Sequence, residues 1–215
     1  MKTQTLPYQR HDAFDPQNMA APDRYKFLIG SVVPRPIAFV STQNAQGEVN
    51  LAPFSFFNAV ASEPASLMFS VTQKRDGGDK DTFRNIRDTG EFVINTVSEW
   101  LAEPMNQCSA EYPYGVSEME KVGLTPCPSL KVKPPRVFES PVHFECRLYD
   151  MMQVGKGGPG SAHIIVGEVV AIHVAHELMD ERHHLDLEKL QPLARLAGAG
   201  YGTLGRRFEL ERPTL

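Results

Sequence analysis

The chain has 215 residues, 41% of them hydrophobic and 22% charged, with a formal charge of −4 at pH 7. This is enough apolar material for one large folded unit without staples. The slightly acidic balance excludes a general nucleic-acid binder, which carries a basic field. No apolar run approaches the roughly 18 residues that cross a membrane. The first residues have no apolar signal-peptide core. Cys108, Cys127 and Cys146 are widely spaced and odd in number, so they form neither a CxxC pair nor a disulfide framework. The expectation is a reduced, cytoplasmic protein.

Residues 1–24 are polar and read as an N-terminal arm, leaving 25–215 as a single domain. Tyr25 to Ile29 suits a short helical turn. Ile37 to Thr42 is β-branched and aromatic, then turns at Gly47 and returns from Glu48 to Leu51, a hairpin signal. Asn50 to Asn58 reads as a proline-stiffened loop, and Leu67 to Thr72 as a buried strand. Asp81 to Thr89 spaces Phe83 and Ile86 three apart, with Asp81 or Thr82 at the N-cap and Gly90 at the C-cap, which predicts a helix. Glu91 to Val97 predicts a further strand, and Trp100 to Cys108 a helix. The proline-rich stretch from Ser109 to Ser140 is connecting structure, with one helical turn at Ser117 to Lys121.

Pro141 to Val154 and His163 to Val174 are the longest strand candidates, joined by the glycine-rich GKGGPGSA loop. The second is almost continuously apolar, which suits a strand covered on both sides, with Gly167 at a bulge. Asp186 to Leu196 predicts a late helix. Hairpin order rather than strand–helix alternation favours a mainly β fold, an antiparallel barrel with peripheral helices, because closure removes exposed sheet edges. A doubly wound sheet would alternate helices with strands.

Two segments could carry chemistry. A helix start at Lys80-Asp81-Thr82 offers unpaired N–H groups, a lysine and a hydroxyl, a combination that attracts phosphate. An ordinary capped helix with an exposed lysine accounts for the same residues. Asn50 to Asn58 could line a flat ring with its amide and hydroxyl groups, or could fill the core with its three phenylalanines. Pro34 and Pro36 stiffen the backbone around Arg35, which is either aimed at an anion or lies along the strand. His163, His173, His176, His183 and His184 show no metal-ligand spacing, so no metal is expected. Neither a GxSxG elbow nor a cysteine nucleophile pattern is present, and no catalytic residue is assigned.

PRPIAFVST, the Gly47-Glu48-Val49-Asn50 turn, NLAPFSFFN, Ser62-Glu63-Pro64, KDTxxNI and GEFVIN occur in this order. GVSEMEKVGLTP, ECRL, VGEVVAIHV and PLARLAGAGY…FELERP follow. Together they resemble the flavin reductase-like family with an FMN-binding split β-barrel of Greek-key type, its flavoredoxin-type branch in particular. The resemblance spans about Tyr25 to Pro213. It implies a homodimer with an FMN groove near the subunit interface, with Lys80, Asp81 and Thr82 on the phosphate. Arg35, Thr42, Asn50, Ser55 and Phe56 fall in the segments on the ribityl chain and ring, and Ser70 and Thr72 on the strand beside the cofactor. It further implies reduction of flavin by NADH or NADPH, or a flavoredoxin-like carrier that holds FMN without turning over a nicotinamide. A partner monooxygenase or electron-transfer protein would take the electrons. The roles of Arg195, Tyr201 and His163 stay open.

Overall fold

The computed structural model describes residue 8 and residues 10–214. Helix α1 (Ala21–Ser31) follows a short turn at Pro16–Asn18, inside the expected arm. Strand β1 (Arg35–Pro36) leads to one hairpin, β2 (Ala38–Gln43) and β3 (Val49–Phe54), and then to a second, β4 (Phe57–Ser62) and β5 (Ala65–Thr72). Helix α2 (Asp81–Thr89) and strand β6 (Glu91–Thr96) come next. Helices α3 (Ala102–Gln107) and α4 (Glu118–Lys121) precede the short pair β7 (Pro126–Cys127) and β8 (Arg136–Val137). The long hairpin β9 (Val142–Val154) and β10 (Ala162–Val174) is followed by α5 (Leu187–Leu190), β11 (Ala194–Arg195) and β12 (Tyr201–Gly202).

Seven strands form one antiparallel sheet in the order β3-β2-β6-β9-β10-β5-β4. Its two edge strands, β3 and β4, are consecutive in the chain across Ser55 and Phe56. The sheet therefore curls until its edges approach, and Ser70 N–H donates to Phe56 O at 2.9 Å beside that seam. This is a split antiparallel barrel. Its interior is packed by Val40, Phe54, Phe69, Phe92, Ile94 and Ile165, with Phe83 and Ile86 of α2 joining the same core.

The opposite face of β2 and β3 is also covered. Phe39 and Leu51 pack there against Leu101, Met105 and Met119, from α3, α4 and the turn before α3. Covering on both faces explains why Ile37–Val40 is apolar without alternation.

Gly167 sits at a register shift between β9 and β10, as expected. A Cβ there would lie 2.3 Å from Phe92 Cζ, so only glycine admits that ring. Gly90 closes α2 with a left-handed φ of 71°.

Four expectations need correction. Strand β4 replaces the end of the expected Asn50–Asn58 loop. Pro53 does not interrupt β3, because an edge strand has backbone positions that need no ladder N–H. The N-cap of α2 is Lys80, which supplies no side-chain cap. The late helix is a single turn, ended by Gln191 at a positive φ of 44° and by Pro192. Finally, β10 is buried on its inner side alone: His163, Ile165 and Gly167 are buried while Ile172 is 58% exposed.

Candidate functional site

The site grows from the start of α2. With Lys80 at the N-cap in an extended conformation and no capping side chain, the first turn presents N–H groups that the helix cannot pair internally. The helix dipole places partial positive charge at the same point. Burial pushes the Lys80 ammonium below the ordinary lysine range; the nearby Glu111 works the other way and Lys74 adds to the lowering. Lys80 Nζ lies 5.7 Å from the Phe54 ring centroid. Asp81 does not compete as a free anion, since Lys74 Nζ holds its Oδ1 at 3.2 Å.

Behind this turn is a small polar network from β2, β3 and α2. Asn50 Nδ2 donates to Thr82 Oγ1 at 2.9 Å and reaches Thr42 Oγ1 at 3.4 Å, while Asn85 Nδ2 donates to Thr42 Oγ1 at 3.0 Å. All four side chains are buried. Thr82 Oγ1 accepts from Asn50, so its own hydroxyl proton remains available.

These groups open into a cavity of about 420 Å³. Asn50, Ala52, Pro53 and Phe54 of β3 form one wall, and Lys80, Asp81 and Thr82 another. The segment from Cys108 to Pro113 forms a third, with Glu118 of α4 beside it. Glu118 Oε2 accepts the Leu51 N–H at 2.8 Å. Burial raises the Glu118 carboxyl above its usual range in spite of that bond, with Asp81 adding to the rise. The Cys108 thiol is pushed up to about 12, chiefly by burial, and so is a poor thiolate source.

The cavity thus brings together Asn50, Lys80, Asp81 and Thr82, with Thr42 directly behind. Other sequence-predicted residues lie elsewhere. Arg35 donates to Ile29 O (2.9 Å), Val32 O (2.7 Å), Leu196 O (3.1 Å) and Ser55 Oγ (3.3 Å), tying α1 and the C-terminal segment to the seam. Phe56 lies near it, 5.8 Å from ring centroid to guanidinium. Ser70 and Thr72 sit on β5 opposite Ile164 and Ala162 of β10. Arg195 stacks over Tyr201, whose hydroxyl donates to Asn106 Oδ1. Sequence reasoning missed Glu118 and the Ser109–Pro113 wall. A buried acid in a helical turn has no local signature, and the wall is assembled by tertiary contact alone.

Fold and cavity define a protein of the split-barrel class with a polar pocket at a helix start. Residues 29–193 match the family model described as flavin reductase like domain, and the chain belongs to that family. It is similar to nitrilotriacetate monooxygenase component B from Bacillus cereus, at 36% identity over 94% of this chain and 100% of that one, with a TM-score of 0.90. It is also similar to 2-nitrobenzoate 2-nitroreductase from Pseudomonas fluorescens, at 33% identity over 94% and 97% of the two chains, with a TM-score of 0.84. A split barrel domain protein from Shewanella frigidimarina, 23% identical over 94% of this chain and 100% of that one, superposes with a TM-score of 0.80 and bears on the fold alone. Among the described residues no helix is long and apolar enough to cross a membrane.

Proposed function

We propose that this chain is an FMN-binding oxidoreductase, a flavin reductase drawing electrons from NADH or NADPH, with residues 25–215 as its FMN domain. One observation carries the reading: an uncapped helix start, a lysine and a free hydroxyl proton meet at one end of a cavity of about 420 Å³, within the range of small-molecule sites. That donor set fits a phosphate monoester. When bound, FMN supplies two-electron chemistry between a nicotinamide and an acceptor.

The protein's own residues bind and orient. Lys80 pairs with the phosphate, and Thr82 and the first-turn N–H groups donate to it. Asn50, held by Thr42 and Thr82, presents its amide toward the ribityl chain. Ser55, Phe56, Ser70 and Thr72 flank the ring from the seam, with Arg35 holding that seam closed.

A homodimer with the groove near its interface is part of this reading. Two features support it: β4 is an exposed edge strand, and Val60, Met68, Met152 and Ile172 leave an apolar outer surface on the neighbouring strands. The likeness to a monooxygenase component B supports a partner monooxygenase or electron-transfer protein as acceptor. Three free cysteines suit the cytoplasm.

The test is the visible spectrum of the purified chain after incubation with FMN, followed by anaerobic NADH or NADPH. Bound flavin bleached by one nucleotide is the expected result. No bound flavin would end the proposal, and bound flavin that neither nucleotide bleaches would favour a flavoredoxin-like carrier.

A further inference from the structure

Beneath the loop that enters α2, three side chains from three elements converge on one carboxylate. Gln73, just past β5, donates through Nε2 to Asp79 Oδ1 at 3.4 Å. His163 of β10 places Nε2 3.6 Å from the same oxygen, and Arg87 of α2 brings Nη1 to 3.6 Å from Oδ2. Asp79 immediately precedes Lys80.

His163 is 9% exposed, and its ring stacks on Phe83 with centroids 3.7 Å apart and 14° between planes. It cannot turn away without breaking the packing at the first turn of α2. Its Nε2 nevertheless has no hydrogen-bond partner, and neither has the buried Gln73 Oε1. A buried polar atom left unpaired costs on the order of 1–3 kcal/mol. The Nε2–H tautomer of the neutral ring, aimed at Asp79 Oδ1, removes that cost.

We propose that Asp79 is a positioning residue for the phosphate end of the site. It anchors the 73–80 loop to the barrel through Gln73 and His163, and so sets Lys80 and the first turn of α2. The inference rests on the FMN reading above. The charged groups around His163 are Asp79 from the loop and, through it, Arg87 from α2; β5 faces it with Val71 and Gln73, which carry no charge. The neighbouring Lys74–Asp81 pair belongs to the same loop and helix start.

A docked loop holds Lys80 and the first turn of α2 in place, so this anchor raises the preference for FMN over riboflavin. A variant that lacks only the imidazole isolates that ring's share of the anchor. The experiment measures dissociation constants for FMN and riboflavin by flavin fluorescence at one fixed, neutral pH. It compares the full-length chain with Asp79→Asn and with His163→Phe, which keeps an aromatic ring on Phe83. Asp79→Asn is expected to cut the FMN-over-riboflavin preference about tenfold, or roughly 1.4 kcal/mol, with riboflavin affinity unchanged. His163→Phe is expected to lose part of the same preference, about threefold, with riboflavin affinity unchanged.

An unchanged preference in Asp79→Asn or in His163→Phe would overturn the inference while leaving the FMN reading in place. A wild-type chain that does not prefer FMN over riboflavin would overturn both. Should Asp79→Asn fail to fold by circular dichroism, the His163→Phe preference decides.

Discussion

Asn50 Nδ2 donates to Thr82 Oγ1 at 2.9 Å, joining β3 to the first turn of α2 across 32 residues of sequence. The bond uses a lone pair of Thr82 Oγ1 and leaves the hydroxyl proton available to donate. Thr82→Val keeps the shape but strands a buried amide. It is expected to cost about 1–3 kcal/mol of folding stability and to weaken FMN binding as well. Urea midpoints and titration calorimetry check both, and a Thr82→Val chain of wild-type stability would show that the bond is dispensable.

Lys80→Ala is expected to weaken FMN binding by about 1–3 kcal/mol and to leave riboflavin binding nearly unchanged. Because burial holds the Lys80 ammonium below the ordinary lysine range, wild-type FMN affinity should fall with rising pH before an exposed lysine would titrate. Equal losses for FMN and riboflavin would place Lys80 away from the phosphate.

Glu118 is a buried acid whose ionised form is disfavoured by burial. Its folded pKa lies above the unfolded value, so the charged carboxylate weakens the fold at higher pH, and that penalty fades as pH falls through the folded pKa. Glu118→Gln keeps an oxygen for the Leu51 N–H and should melt higher than wild type near neutral pH. The gap should close in acid. Thermal melts across pH decide, and a pH-independent gap would refute the assignment.

Glu145 shows the opposite sign. Burial acts to raise its pKa, but N–H groups of Leu130 (2.7 Å) and Lys131 (2.6 Å), with His173 Nε2 at 2.6 Å, outweigh it and hold the carboxyl below its usual range. This stabilisation is present above the unfolded pKa and is lost as pH falls below about 4. The segment around Leu130 should therefore loosen in acid before the barrel unfolds, visible as faster hydrogen exchange at Leu130 and Lys131. Glu145→Gln, which turns an amide toward one of those donors, should cost about 1–3 kcal/mol and speed the same exchange at neutral pH.

Much of the fold was legible in local pattern. The β-branched runs became β2, β5, β6, β9 and β10, and the Phe83–Ile86 spacing with Gly90 marked α2. Strand β4 was not legible: Asn58 to Ser62 is exposed and lacks alternation, and only pairing with β5 defines it. The cluster at the start of α2 was legible because a helix start carries its own chemistry. The partners of Arg35 were not, since its four acceptors include Ser55 and Leu196 from distant segments as well as Ile29 and Val32 nearby. Nor was His163, whose environment is set by Phe83 and Asp79 from α2 and its entry loop rather than by its own strand.

Under the FMN reading, the missing side-chain cap on α2 would link this protein's lifetime to vitamin supply. A helix start that leaves its own donors unsatisfied is completed by whatever anion occupies it, and a ligand held only by the folded state stabilises that state by mass action. With the FMN reading, cells short of riboflavin would hold a looser chain, open to proteases first near the 73–80 loop. Abundance would then follow cofactor availability with no change in transcription.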